Sequence, residues 1–298
     1  AYLVLTVVAV LILWWSLGDG LQALLHALAA VSTGGFSGYE QSLADMPSRL
    51  APYLTLGAAL LGALPLILYY QIASRRGWKP AGDPEWWALP LTVALVGLLL
   101  VLILHVDDGM GWSDALHHGM LLGASAQTTA GFSTLTVGEL SDSAKLWLIV
   151  AMLGGGSIGS TAGGIKLLRL LILGKLIAHI LRRTSMPTHA VTALRLGGRN
   201  LQGEEIQRAL VIIVLFILTV LLSWLIMIAG GQPAIAALFE VVSATGTVGL
   251  SAGVVSHELA QGLKLLLCLD MLLGRMEILA LLVVLYPPTW LGRRIAHK

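Results

Sequence analysis

Gly154-Gly155-Gly156-Ser157-Ile158-Gly159-Ser160-Thr161-Ala162-Gly163-Gly164-Ile165-Lys166 lies between two strongly apolar runs, 146–153 and 167–173. Six glycines and three hydroxyl side chains stand where an apolar helix is expected to continue unbroken. Lipid offers no partner to backbone N–H and C=O groups, so irregular backbone at membrane depth must be buried in protein or line a water-filled cavity. The stretch therefore reads as a functional interruption of a membrane helix, against the plainer reading of a flexible kink at a tight helix crossing.

The surroundings make a membrane setting the natural one. Of 298 residues, 57% are hydrophobic and 11% charged, with a mean hydropathy of +0.86. Such a composition belongs to an integral membrane protein. The single cysteine, Cys268, sits in an apolar run and cannot form a disulfide within the chain. Residue 1 is an alanine already inside an apolar stretch, with neither Met nor a basic region ahead of it, so the stretch does not read as an ordinary signal peptide; the chain reads as truncated at its N-terminus.

Apolar runs able to span a hydrocarbon core of about 30 Å occur near 2–17, 51–72, 87–105, 143–173, 209–229 and 261–290. Between alternate spans lie shorter segments, 20–31, 114–127 and 233–244, each ending in a Thr/Ser/Gly cluster and suited to re-entrant half-helices. Cations give the orientation. Arg75, Arg76 and Lys79, then Lys175, Arg182, Arg183, Arg195, Arg199 and Arg208, then Arg293, Arg294 and Lys298 mark three cytoplasmic segments. The opposite loops are acidic, with Asp19, Glu40, Asp45, Asp107, Asp108, Asp114, Glu139, Asp142 and Glu258 against Arg49, Lys145 and Lys264. All three half-helices are thus expected to enter from outside. The basic loop 174–208, punctuated by Pro187 and Gly197-Gly198, carries an expected amphipathic surface helix at 175–183.

The order span, half-helix, cluster, span occurs three times, and the clusters align as Thr33-Gly34-Gly35-Phe36-Ser37, Thr129-Ala130-Gly131-Phe132-Ser133 and Thr247-Val248-Gly249-Leu250-Ser251. The shared pattern is T-x-G-[FL]-S. A row of backbone carbonyls can replace the hydration shell of an alkali cation, with glycine allowing the turn. The C-terminal, partly negative end of each half-helix favours a cation there. One T-x-G carries no weight; three in register do.

On these residues the chain resembles the Trk/Ktr/HKT superfamily of potassium transporters, and within it the bacterial TrkH type. STGGFS at 32–37, QTTAGFS at 127–133, GGSIGSTAGGIK at 155–166, ATGTVGLS at 244–251 and Met271, Gly274, Arg275 and Glu277 carry the resemblance. It implies four repeats around one pore, of which residues 1–73, 74–173 (with its broken last helix) and 209–298 correspond to the second, third and fourth, with 174–208 as a cytoplasmic loop. The expected fold is all-α, three span/half-helix/span repeats around a pseudo-symmetric pore in an incomplete fourfold ring. Gly35, Gly131 and Gly249 match the filter glycines, and the resemblance places potassium against Thr33, Gly34, Thr129, Ala130, Thr247 and Val248. It further implies potassium uptake or symport in the bacterial inner membrane, no covalent cofactor, a homodimer, and a cytoplasmic nucleotide-binding regulatory subunit of the TrkA kind. No nucleic-acid partner is implied.

Depth arithmetic supplies a gate. Gly154 lies 11 residues into a span starting at Ser143, roughly 16 Å at about 1.5 Å per residue. Ser157 and Arg275 each lie 26 residues beyond a filter glycine, Gly131 and Gly249. An arginine at mid-bilayer needs an interior partner. The expected gate comprises Gly154, Gly155, Gly156, Ser157, Gly159, Ser160, Thr161, Gly163, Gly164 and Arg275; the competing role for Arg275 is an ion pair with Glu240 or Asp270. Glu277, two residues on, faces the wrong side of the helix to pair with it.

Other signals point elsewhere or nowhere. Gly154-x-Gly156-x-x-Gly159 matches a dinucleotide fingerprint by letter but lacks the preceding strand. His117-His118 and Asp107-Asp108 read as interfacial polar residues rather than a metal site, and Pro65 as ordinary membrane anatomy. No nucleophile, base and metal-ligand set falls on facing spans, so an enzyme is not expected. The alternatives to potassium transport are a secondary cation transporter and a non-conducting fragment or sensor.

Overall fold

The computed structural model describes residues 2–73, 83–185, 194–276 and 278–286. Arg75, Arg76, Lys79, Pro187, Glu277, Arg293, Arg294 and Lys298 therefore lie outside the described residues. The described chain is almost entirely helical: α1 Tyr2–Leu17, α2 Gly20–Val31, α3 Ala51–Ala63, α4 Leu66–Ala73, α5 Pro84–Val106, α6 Trp112–Gln127, α7 Asp142–Gly154, α8 Leu167–Arg183, α9 Gly203–Ala229, α10 Ala234–Thr245, α11 Gln261–Met276 and α12 Ile278–Leu285. A short antiparallel hairpin, β1 Arg195–Leu196 and β2 Arg199–Asn200, precedes α9.

Local chemistry sets the helix ends. Asp19 caps α2, its carboxylate accepting from Leu21 N at 2.8 Å, and Ser141 caps α7 while Asp108 accepts from its N–H at 2.9 Å. Pro84 opens α5, where a missing N–H costs nothing. The half-helices α2, α6 and α10 have 12, 16 and 12 residues, about 18–24 Å at 1.5 Å per residue. Each is too short to span.

Only α5 and α9, among the described helices, are long and apolar enough to cross a membrane alone. Two other expected spans are broken pairs, α3/α4 and α7/α8, while α11 and α12 flank Glu277, which lies outside the described residues. The first is a correction, because 51–72 reads as one helix in sequence. It breaks at Leu64-Pro65, where proline removes an N–H and clashes with the preceding turn.

Two further boundaries move. The expected surface helix 175–183 is not separate but the C-terminal half of α8. The loop after it is shorter than expected, because α9 starts at Gly203 behind a capping box formed by Gln202 and Glu205. Between them Gly197 and Gly198, at φ 58° and 78°, make the two-residue hairpin turn, which seats Leu196 against Ile172 and Ala209.

Packing follows the repeats. The largest core joins α5, α6 and α7 to α9, α10 and α11 through residues such as Leu104, Leu148, Met152, Met227 and Phe239. A second joins α1–α3 to Leu121, Ala130 and Phe132, so the first repeat's core includes residues of the second repeat's T-x-G cluster.

Candidate ion pathway and gate

The three T-x-G segments adopt one backbone conformation. Their half-helices end on Ser32, Thr128 and Gly246, whose φ/ψ values are −80°/−3°, −79°/−2° and −74°/−6°. The next residues, Thr33, Thr129 and Thr247, have φ of 51°, 55° and 51°. A β-branched residue rarely adopts this left-handed region, so its recurrence at one register marks a constraint held by surrounding structure. The hydrogen bonds repeat too: Gly34 N donates to Ala29 O at 2.7 Å, Ala130 N to Ser125 O at 2.9 Å and Val248 N to Ser243 O at 2.8 Å. Gly35, Gly131 and Gly249 follow at φ 71°, 76° and 92°.

Glycine is required here for a second reason. A Cβ on Gly35 would lie 2.5 Å from Ala130 O, and one on Gly131 would lie 2.0 Å from Val248 O. The first segment thus abuts the second, and the second abuts the third, in the same sense around an axis. A Cβ on Gly249 meets nothing within 4 Å among the described residues. Phe36 is 80% exposed whereas Phe132 and Leu250 are buried, so the shared motif letter does not carry a shared environment.

Beneath these segments runs the backbone between α7 and α8. Gly163 N donates to Thr129 Oγ1 at 2.7 Å, and a Cβ on Gly163 would lie 2.1 Å from Gly246 O. Gln127 Nε2 donates to Gly155 O at 2.9 Å. On the opposite flank the loop closes on the α3/α4 break. Ser157 N donates to Ala63 O at 3.0 Å, Thr161 N to Gly62 O at 3.3 Å, and Leu66 N to Gly159 O at 3.1 Å. The Thr161 hydroxyl lies 2.9 Å from Val31 O at the end of the first half-helix. Each break supplies the partners that the other lacks. Glu85, 5% exposed, adds a side-chain anchor by accepting from Ile158 N at 2.9 Å.

Arg275 meets this loop: its Nη1 donates to Thr161 O at 3.3 Å. Glu240 and Asp270, its sequence-level candidate partners, bond elsewhere. Glu240 accepts from Ser251 Oγ, and Asp270 from Ser223 Oγ at 2.8 Å. Two cavities share Arg275 and Thr247 as wall. The outer, about 570 Å³, is lined by Gly34, Gly35, Gly131, Val248 and Gly249 among others. The inner, about 310 Å³, is lined by Gly159, Ser160, Thr161, Gly163, Gly164 and Gly274. Arg275 thus stands in the wall between the two cavities.

A family model described as TrkH, cation transport protein, matches residues 85–287. The chain belongs to the TrkH family. That is a family of cation transport proteins rather than enzymes. This TrkH-family chain is 28% identical over 296 residues to the Trk system potassium uptake protein TrkH of Salmonella typhimurium, covering 97% of this chain and 61% of that protein. It is 28% identical over 270 residues to the Trk system potassium uptake protein TrkG of Escherichia coli, covering 88% of this chain and 55% of that protein. Among solved structures, the potassium transporter TrkH from Vibrio parahaemolyticus superposes with a TM-score of 0.86 at 26% identity, covering 97% of this chain and 63% of that one. The chain thus spans about 61% of the length of the curated TrkH relative. The all-α membrane-transporter fold is established by this match.

Sequence reasoning missed Glu85, Gln127 and the Leu64-Pro65 break as parts of the loop's seat. His117 Nδ1 lies 2.8 Å from Tyr53 Oη and His118 Nδ1 3.0 Å from Thr134 Oγ1, and no cluster of three metal-ligating side chains exists among the described residues.

Proposed function

We propose that the intact protein takes up potassium across a bacterial inner membrane along the axis bounded by the three filter segments. The carbonyls of Thr33, Gly34, Thr129, Ala130, Thr247 and Val248 act as ligands in place of water. The loop from Gly154 to Gly164 and Arg275 close the pathway below. The observation that carries this reading is the triple recurrence of one strained turn in one hydrogen-bond register, with a cavity lined by that loop, Thr247 and Arg275 beside it. The names of the relatives, potassium uptake proteins and a potassium transporter, support the choice of ion.

The assembly is a homodimer with a cytoplasmic nucleotide-binding subunit of the TrkA kind, docked on the basic segment 174–208. That segment's described part, with Lys175, Arg182, Arg183, Arg195 and Arg199, offers the positive surface. Rb⁺ and Na⁺ flux into liposomes containing the intact protein tests the transport reading. Saturable Rb⁺ entry exceeding Na⁺ entry is expected; no flux of either ion above empty liposomes refutes it.

A further inference from the structure

Seven residues before each filter threonine the repeats carry His26, Leu122 and Glu240. All three are buried, at 0%, 0% and 4% exposure. In the first and third repeats this side chain reaches the serine that closes T-x-G-[FL]-S. His26 Nε2 lies 2.9 Å from Ser37 Oγ, and Ser251 Oγ donates to Glu240 Oε1 at 2.7 Å. The chain beyond each serine is gathered by the same groups: Ala252 N and Val254 N donate to Glu240 Oε1 at 2.9 and 3.2 Å, and Tyr39 N donates to Ser37 Oγ at 3.1 Å. His26 Nδ1 lies 2.8 Å from Gln22 O, which only accepts, so Nδ1 carries a proton.

The second repeat solves the same problem differently. Leu122 has no polar atom to offer; Ser133 Oγ donates to Leu135 O instead, and Ser133 N donates to Ser42 Oγ of the first repeat at 3.2 Å. One repeat leans on a neighbour, and two carry a polar strut at an identical register. The inner end of each filter turn is fixed by its half-helix and the outer end by this strut or lean, so the spacing of the carbonyls between is held at both ends.

We infer that His26 and Glu240 are positioning residues of the filter, struts from half-helix to the outer end of the filter whose hold on the turn sets discrimination between alkali cations. The inference rests on the reading of these segments as an ion filter. A loosened turn contracts or spreads around whichever ion enters, so the ratio of ions passed changes rather than the amount of protein that folds. Leucine, the second repeat's own residue here, is compatible with a half-helix at this position.

The test is the Rb⁺/Na⁺ flux ratio of the intact protein in liposomes, for wild type, Glu240→Gln, Glu240→Leu and Ser251→Ala. Glu240→Gln keeps an acceptor for all three donors and should hold the ratio within about twofold. Glu240→Leu leaves buried donors unpaired and should lower it about tenfold, with Ser251→Ala shifting it in the same direction. If Glu240→Leu fails to elute as folded protein, the smaller Ser251→Ala change decides. Unchanged ratios against a selective wild type overturn this inference alone; a wild type that passes neither ion overturns the filter reading and this inference with it.

Discussion

Replacing Gly163 by alanine should open the pathway. The added Cβ would sit 2.1 Å from Gly246 O and 2.3 Å from Thr247 Oγ1. Ordinary carbon–oxygen contacts begin near 3.3 Å, so one side must retreat by about 1 Å. The filter base cannot, because it is pressed from behind: a Cβ on Gly274 would lie 1.9 Å from Thr245 O. The loop borders the inner cavity of about 310 Å³ and is the part with room to move. Overpacking of this kind costs about 1–3 kcal/mol, which at about 1.4 kcal/mol per tenfold weakens the seated loop by roughly 5- to 150-fold. Rb⁺ entry into liposomes, per unit of monodisperse protein, should therefore rise at least about fivefold. Gly174→Ala on α8, where an added Cβ meets nothing within 4 Å among the described residues, is the control and should leave entry unchanged. Unchanged or reduced Rb⁺ entry in a folded Gly163→Ala protein refutes the idea that the loop closes the path.

Arg275→Ala removes both the bond to Thr161 O and a positive charge between the two cavities; a charged hydrogen bond contributes about 1.5–3 kcal/mol, so Rb⁺ conductance in planar bilayers should rise about tenfold or more. Glu85→Leu orphans the Ile158 N–H, at a cost of about 1–3 kcal/mol, and should lower the detergent melting temperature, while Glu85→Gln keeps an acceptor and should stay near wild type; equal melting of all three counts against Glu85 as an anchor. Pro65→Ala lets α3 and α4 join, so Gly62 and Ala63 carbonyls turn inward and release Thr161 and Ser157. Hydrogen exchange at those two amides should quicken about fivefold, the equivalent of a bond of about 1 kcal/mol.

Much of the architecture was legible because its signals are local. Three T-x-G-[FL]-S clusters and a glycine-rich gap in an apolar run are short-range chemistry, and each turn is held largely by its own half-helix. The hydrogen bonding of the α3/α4 break to the loop between α7 and α8 was not legible, for a physical reason. Pro65 in an apolar run reads as a kink whatever it faces, and the groups that satisfy its freed carbonyls lie about a hundred residues downstream, at Ser157 and Thr161. Glu85 reads as an acid suited to a helix N-terminus; its burial against Ile158 is purely tertiary. The early start of α9 was recoverable, since the Gln202–Glu205 box is a sequence signal. The boundary expected between the run 143–173 and the loop 174–208 is one that α8 ignores: it runs on through Gly174, because an isolated glycine inside a continuing helical period weakens a helix without ending it.

The mutual satisfaction of the two helix breaks has a consequence for biosynthesis. Ribosomes deliver Gly62 and Ala63 long before Ser157 and Thr161, so for the synthesis of about a hundred residues the first break must wait in or near lipid without its partners. Each unmatched carbonyl there costs several kcal/mol. The first repeat therefore cannot finish folding as it is inserted. It must remain hydrated, or shielded by the insertion machinery, until the second repeat's loop emerges and locks both breaks together.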